Sequence, residues 1–583
     1  MSGTGAGAGG VVGALDRIHA RRILQRIGVV GEPTGHVASD SREVTQLLGD
    51  RAFQRRLAEL AGRLERDPDG VRAEAAGYLR EMSATHDDRP TEAWRKFTRW
   101  FLRAYDVYVD DDQIARLRRL DRKNSLAFAF SHRSYLDGLV VPDVVASRGM
   151  APPFTFGGAN LNFFPMGTWV SHSGMIFIRR QTKDLPVYRT ALRAYTAQLV
   201  RNRANVTWSI EGGRTRTGKL RPPVYGILRY LIDALEQVTG PDVLLVPVSV
   251  VYDQLHEVSL MTSEARGGVK RPEDLRWLVR LARQQRERLG RAYLDFGEPL
   301  PLRERLRELR AEEEHRGHEV ERIALDVSHR INRATPVTAT AVVSLAALGA
   351  DRALTLAELL ATVQPLASYI RRRNWQVAGA ADLTDRATIR RTLQELVASA
   401  VLTCYDGGTE PVWGIASEQH LVAAFYRNTA IHILVDRAIA ELALQTAAES
   451  GTSAGGSRGT VLDAALRLRE LLKFEFFFAA RSAFEAELSD ELGLMGATVP
   501  AEPSGGSGGR SPGDVTVPAK SCTPADAARL LRKADLLLAH LVLRPYLDAY
   551  RLVGEQLAAA DDDQAVDVEV VVRDCLRLGR QWS

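Results

Sequence analysis

Cysteine is scarce: Cys404, Cys522 and Cys575 are the three in 583 residues. They stand far apart and are odd in number. That argues against a disulfide framework or a zinc site and points to a reducing compartment. The opening "MSGTGAGAGGVVGALDRIHARRIL" lacks the basic start and long apolar stretch of a secretory leader, so none is expected. No run of about 20 residues is strongly apolar. The nearest is 334–350, "ATPVTATAVVSLAALGA", uncharged but built of small residues and interrupted by Pro336. It predicts a buried helix rather than a membrane span, so any membrane contact is expected on the protein's surface. The pattern G-x-x-x-x-G-K-[ST] does not occur, which excludes a P-loop, and no internal repeat is visible.

What is present is enough for a large core. Hydrophobic residues make up 45% and charged residues 26%, so most of the chain is expected to fold. The length suggests roughly 3 to 4 domains. The net charge of +5 is a mild excess. It fits an anionic substrate or an anionic membrane surface and does not demand nucleic acid. Arginine far outnumbers lysine, and guanidinium forks suit phosphate and carboxylate.

Texture divides the chain. Residues 1–12 are Gly-rich and expected to be loose. Residues 13–114 read as an N-terminal helical domain, with Leu, Ala and Tyr at spacings of three and four in "RAFQRRLAELAGRLERD" and "VRAEAAGYLREMSA". From 115 to 333 short apolar runs ("SLAFAF", "GMIFIRR", "NVTWSIEGG", "VLLVPVSVVYD", "AYLDFGEPL") alternate with helical stretches. This predicts an α/β domain with a mostly parallel central sheet flanked by helices. Residues 334–583 read as a mostly helical region, with long helices over 354–372, 386–401, 418–449, 460–492 and 525–559. Gly/Ser-rich loops are expected near 449–459 and 500–515. "VLTCYDGGTEPVWGI" predicts a β-hairpin; with two helices before it, the stretch hints at a winged-helix-like module.

Four stretches of the α/β region carry chemistry. In "SHRSYLDG" Ser134 and Asp137 form an S-x-x-D pattern, which predicts a helix with Ser134 as N-cap and Asp137 at N3. That alone accounts for Asp137. The same helix start also brings a carboxylate back toward His132, where it would fix the tautomer and leave the other ring nitrogen as a base. In "SGMIFIRR" a strand ends in Arg179 and Arg180, and alternation sends one of them toward a site. In "WSIEGGRTRTGKLRPP" a strand runs into Glu211, Gly212 and Gly213, then Arg214, Arg216, Lys219 and Arg221. The glycines permit a tight turn, and the cations suit an anion clamp. In "LLVPVSVVYD" Pro247 implies an edge, bulge or break that shapes a pocket wall.

Together and in this order the four stretches resemble the motifs of the glycerophosphate acyltransferase superfamily: "HRSYLD", the HX4D motif, then "GMIFIRR", "IEGGRTRTGK" and "VPVSVVYD". The long, bacterial membrane-associated type is the nearest likeness, strongest over about 120–300 and plausible over most of the chain. The resemblance implies acyl transfer from acyl-CoA or acyl carrier protein to the sn-1 hydroxyl of glycerol 3-phosphate, with dihydroxyacetone phosphate or lysophosphatidate as alternative acceptors. A non-catalytic membrane or nucleic-acid binding protein is the remoter reading. The resemblance implies no metal or bound cofactor, no nucleic-acid partner, and a peripheral place on the cytoplasmic side of the cell membrane. His132 and Asp137 would be catalytic. Arg133, Ser134, Arg179, Arg180, Gly212, Gly213, Arg214, Arg216, Lys219 and Pro247 would bind substrate. Glu211 would contact a glycerol hydroxyl or pair with an arginine. "FTFGG" and "LNFFPMGTW" are candidates to line an acyl groove. "RPEDLRWLVRLARQQRERLG" is a candidate to dock on anionic lipid, with a solvated surface helix the stronger reading.

Overall fold

A computed structural model describes residues 42–158, 170–179, 181–265, 288–312, 316–350, 352–450, 461–496, 524–559 and 566–582. The chain forms two compact units, one of Met1–Thr340 with Gln376–Ala381, the other of Ala341–Trp375 with Asp382–Ser583.

In the first unit the helices α1 (Arg42–Gly49), α2 (Arg51–Arg63), α3 (Pro68–Met82) and α4 (Asp88–Phe101) come first. Their caps are legible. The Asp50 carboxylate accepts from Ala52 N–H at 2.7 Å and that of Asp67 from Gly70 N–H at 2.7 Å. The α2 helix buries Phe53, Leu57, Leu60 and Ala61 along one stripe, and α3 buries Val71, Ala75, Leu79 and Met82. Each fully buried large side chain contributes about 1.5–3 kcal/mol.

The sheet follows: β1 (Asp106–Val109), α5 (Asp111–Asp121), β2 (Ser125–Phe130), α6 (Asp137–Ser147), β3 (Phe154–Gly158), β4 (Met175–Ile178), α7 (Pro186–Arg201), β5 (Val206–Ser209), α8 (Gly226–Gln237), β6 (Val243–Tyr252), α9 (Val258–Ala265), β7 (Arg291–Phe296), β8 (Leu300–Pro301), α10 (Leu302–Ala311) and α11 (Glu319–Ala334). The strand order is β1-β7-β6-β2-β5-β3-β4, with β8 also on β6. Strands β6, β2, β5, β3 and β4 run parallel, and β7 is antiparallel to β6. Every residue of β2 and β6 is buried, as strands covered on both faces require. This is the α/β architecture expected from the alternation of strands and helices.

Details differ from the sequence reading. "FTFGG" forms strand β3, and β1 lies inside the stretch read as helical. Pro247 sits neither on an edge strand nor beside the site. It lies in central β6, between the segment paired to β7 from Val248 and the segment paired to β8 up to Leu245. Its carbonyl accepts from Gly297 N–H at 2.8 Å, so its missing N–H falls where the partner strand is interrupted. "LNFFPMGTW", Arg180 and most of the arginine-rich stretch after Lys270 lie outside the described residues.

The second unit is mostly helical. It holds most of α12 (Ala339–Leu348), whose buried Ala341, Val342 and Val343 confirm a core helix. Then come β9 (Leu354–Thr355), α13 (Leu356–Arg372) with a Thr355/Glu358 capping box, α14 (Arg386–Ala398), and the hairpin β10 (Thr403–Tyr405) and β11 (Val412–Gly414). β9 completes a three-stranded antiparallel sheet. Next are α15 (His420–Ala430), α16 (Val435–Ser450), α17 (Val461–Leu472), α18 (Arg481–Leu494), α19 (Pro524–Lys533), α20 (Ala539–Val542), α21 (Arg544–Ala558) and α22 (Val568–Trp582). Three long helices of the sequence reading are broken. A 3-10 turn over Ile431–Leu434 separates α15 from α16. The aromatic stretch 473–480 ends α17. Pro545, with no N–H to donate, starts α21 afresh. No helix among the described residues is long and apolar enough to cross a membrane.

Candidate active site

Strand β2 delivers His132 to the C-terminal edge of the sheet, where open α/β sheets place their sites. Ser131 N–H donates to Val248 C=O at 3.0 Å, the last rung joining β2 to β6. His132 is then held by its own backbone. Its N–H donates to Glu211 Oε1 at 2.6 Å, and its C=O accepts from Thr215 N–H at 2.8 Å. The loop after β5 thus clasps the histidine from both sides.

The ring is oriented by Asp137. His132 Nδ1 lies 3.1 Å from Asp137 Oδ2, which turns Nε2 away from the carboxylate. Asp137 is fully buried; the imidazole is 21% exposed and so reachable. The same Oδ2 accepts Arg133 N–H at 2.6 Å and Ser134 N–H at 2.7 Å. The helix therefore does not start as a Ser134-capped box. Asp137 is the first residue of α6, and its carboxylate folds back over the preceding turn. Ser134 Oγ accepts from Leu136 N–H at 3.1 Å inside that turn. The other carboxylate oxygen, Oδ1, accepts the Tyr252 hydroxyl at 2.6 Å.

Glu211 holds backbone on both sides. It is buried, and its oxygens accept His132 N–H and, at 2.8 Å, Arg221 N–H. Burial outweighs these bonds and pushes its carboxyl up to about 7. Gly212 follows with φ +63, and a Cβ there would meet Val224 Cγ2 at 2.8 Å. At Gly213 a Cβ would meet Arg221 Nη1 at 3.2 Å.

The arginines are distributed unevenly. Arg214 lies with its guanidinium 3.4 Å from the Tyr135 ring centroid and donates to the Tyr135 hydroxyl. Its Nη1 is buried without a hydrogen-bond partner. Arg216 is exposed and pairs with Glu264 at 3.2 Å, and Lys219 is half-buried. Arg179 follows β4, which lies three strands from β2, about 14 Å at ordinary strand spacing. It forms a two-pronged pair with Glu81 of α3 at 2.9 and 2.6 Å and lies over the rings of Tyr78 and Tyr188.

Arg133, expected at the substrate, points the other way. It is buried, with Nη1 donating to Ser131 Oγ at 2.8 Å and Val250 C=O at 3.0 Å, and Nε to Gly218 C=O at 3.3 Å. It is a strut joining β2, β6 and the arginine loop. Pro247 likewise packs toward Gly297 rather than the site. Sequence reasoning missed Tyr252, Tyr135 and Glu257. Glu257 accepts Tyr135 N–H at 2.9 Å, and the charge of Arg214 opposes the upward push that burial exerts on its carboxyl. Only Tyr252 left a signal, as a polar-tipped aromatic closing an otherwise apolar strand.

An imidazole with one nitrogen on a buried carboxylate and the other turned away, beside a cationic loop, suits proton abstraction from an alcohol near an anionic group. Comparison with known proteins points the same way. Residues 112–251 match the family model described as Acyltransferase, and residues 261–583 that of the Glycerol-3-phosphate acyltransferase C-terminal region. The chain belongs to the glycerol-3-phosphate acyltransferase family. It is 64% identical over 569 residues to "Putative acyltransferase plsB1" of Mycobacterium bovis, covering 98% of this chain and 89% of the relative. It is 28% identical over 459 residues to the glycerol-3-phosphate acyltransferase of Aeromonas hydrophila, covering 77% of this chain and 56% of the relative. The solved 1-acyl-sn-glycerophosphate acyltransferase PlsC of Thermotoga maritima aligns with 49% of this chain and 94% of its own at 13% identity, with a TM-score of 0.25. The protein is an acyltransferase of this family, and "HRSYLD" is its HX4D motif.

Proposed function

We propose that the protein transfers a fatty acyl group from acyl-CoA or acyl carrier protein to the sn-1 hydroxyl of glycerol 3-phosphate, giving 1-acyl-sn-glycerol 3-phosphate, the opening step of phospholipid synthesis. The observation that carries this reading is the His132 Nδ1–Asp137 Oδ2 contact beside a loop that holds Arg214 and Arg216. Nε2 takes the hydroxyl proton as the alcohol oxygen attacks the thioester carbonyl. The tetrahedral intermediate collapses, the C–S bond breaks, and the imidazolium returns the proton to the leaving thiolate. Asp137 orients the ring and stabilises the imidazolium. Arg214, with its unpartnered Nη1, and Arg216 bind the phosphate; Lys219 and the backbone of Gly212 and Gly213 border it. Arg179, already paired with Glu81, is assigned the lesser share. The reaction needs no metal or bound cofactor.

We also place the protein on the cytoplasmic face of the membrane as a peripheral protein. Support comes from α4, which exposes Arg89, Lys96 and Arg99 and leaves Trp94 and Trp100 half-buried, a pairing suited to anionic headgroups.

The test is an assay of the purified protein with labelled acyl-CoA and each acceptor in turn. Glycerol 3-phosphate should be preferred; a preference for dihydroxyacetone phosphate or lysophosphatidate overturns the acceptor assignment. His132→Ala should lose roughly 10²- to 10⁴-fold in kcat with the fold retained. Full activity in that variant would falsify the mechanism. Arg214→Ala should raise KM for the phosphate acceptor by about 10- to 100-fold, the worth of one charge-assisted hydrogen bond.

A further inference from the structure

We propose that Tyr252 is a positioning residue for the His132–Asp137 pair, setting the plane of the Asp137 carboxylate and tempering its charge at the imidazole. The proposal rests on the acyl-transfer reading above.

Asp137 divides its hydrogen bonds unequally. Oδ2 receives His132 Nδ1 and the N–H groups of Arg133 and Ser134. Oδ1 receives the Tyr252 hydroxyl at 2.6 Å. A carboxylate held through one oxygen turns about its Cβ–Cγ bond, and the lone pair aimed at Nδ1 turns with it. Holding both oxygens fixes the plane and hence the imidazole tautomer. The backbone N–H groups come with the local turn; the hydroxyl comes from a strand 115 residues on.

The donor is well secured. Tyr252 closes β6 and is 3% exposed. Burial and the adjacent Asp137 charge push its phenol far above the ordinary value, so the O–H stays a donor wherever Asp137 is ionised. Its ring meets Tyr105 edge-on at 5.2 Å, and the Tyr105 hydroxyl donates to Gln254 C=O at 3.0 Å. Ser131 Oγ accepts Val250 N–H at 3.1 Å, and Arg133 donates to Val250 C=O, so the ends of β6 and β2 move together.

The hydroxyl hydrogen also offsets part of the negative charge that the imidazolium meets across the carboxylate. Removing it should strengthen that attraction and raise the pH at which His132 gives up its proton. The charged and titratable groups facing the pair are Arg133 on its own turn, Glu211 and Arg214 on the loop after β5, and Glu257 beyond β6. Tyr252→Phe leaves all of them in place.

The experiment compares wild type, Tyr252→Phe and Tyr195→Phe. Tyr195 is a buried tyrosine whose hydroxyl meets the backbone of Ala84, outside the site, so its variant controls for losing a buried hydroxyl. For Tyr252→Phe we expect kcat to fall about 10- to 100-fold, with both KM values within about twofold. The acidic limb of the kcat profile should move to higher pH. The His132 ring, followed by NMR in ¹⁵N-histidine-labelled protein without substrate, should titrate higher by a matching amount. Tyr195→Phe should keep the wild-type kcat and limb. An unchanged kcat in Tyr252→Phe, or a lower kcat with both titrations unmoved, overturns the proposal. Absence of acyl transfer in wild type sinks the functional reading instead, while the ring titration still tests the positioning claim.

Discussion

The Glu211 carboxylate joins the first and third motifs by accepting His132 N–H at 2.6 Å and Arg221 N–H at 2.8 Å. On the histidine side the donor is the backbone N–H, so this glutamate sets where His132 stands rather than how its ring turns.

Glu211→Gln should therefore change stability in a way that depends on pH. The amide, like the protonated carboxyl, keeps one acceptor oxygen and points a donor at the other N–H, so the two should be nearly equal where the carboxyl is protonated. The folded carboxyl at about 7 lies above its unfolded value of 4.5. The stability that its protonation lends is complete below about 4.5 and is lost as pH rises through about 7. Thermal melts should show the variant close to wild type at pH 5 and ahead of it at pH 8. An equal difference at both would contradict the assignment.

Arg133→Met should act on the fold, not on the acceptor. Ser131 Oγ, Val250 C=O and Gly218 C=O all lose a donor, and removing a buried, hydrogen-bonded cation costs about 3–5 kcal/mol. Denaturant titration should report that loss. KM for glycerol 3-phosphate, measured on the folded fraction, should stay near wild type. A large rise in KM with unchanged stability would return Arg133 to the substrate.

Gly212→Ala and Gly174→Ala should both be poorly tolerated, with different readouts. Gly212 adopts φ +63 against Val224, so alanine there distorts the loop that carries Arg214, and activity should fall first. Gly174 adopts φ +89, and a Cβ would lie 2.1 Å from His86 Cε1. Soluble yield and melting temperature should fall there. A Gly174→Ala protein with wild-type stability would mean that the His86 ring has room to move.

Asp295→Asn should stabilise the protein at neutral pH. The aspartate is buried between the side-chain amides of Gln113 and Gln376, and burial pushes its carboxyl up to about 6 from 3.8. The stability tied to its protonation is present below about 4 and lost as pH rises through about 6. Asparagine keeps the Oδ1 acceptor without the charge. The variant should match wild type near pH 4 and exceed it above pH 6 by about 1–3 kcal/mol. A constant difference across that range would count against the assignment.

Much of the fold was legible because its signals are local. The apolar runs "SLAFAF" and "VLLVPVSVVY" announce strands buried on both faces. The broken helices were not, since uniform helical periodicity hides breaks such as the 3-10 turn over Ile431–Leu434. At the site, the His132–Asp137 pairing was legible from the four motifs taken together, but the helix start between them was misjudged. An aspartate near a helix N-terminus serves as cap or as N3 partner with similar ease, and the turn that decides between them depends on where β2 ends.

Residue order alone established the succession of the four motifs, the strands that carry them and the spacing between His132 and Asp137. The tertiary structure decided which polar groups face those two residues. Arg133 looks like a substrate ligand beside His132, yet β6 draws its guanidinium inward to Val250. Glu211 looks like a ligand for a glycerol hydroxyl or an arginine, and the parallel pairing of β2 with β5 sets it under the histidine backbone. Tyr252 gave almost no sign, because its importance comes from the pairing of β6 with β2 that brings its hydroxyl over Asp137. Hydrogen bonds between strands distant in sequence depend on register, and register is a property of the assembled sheet.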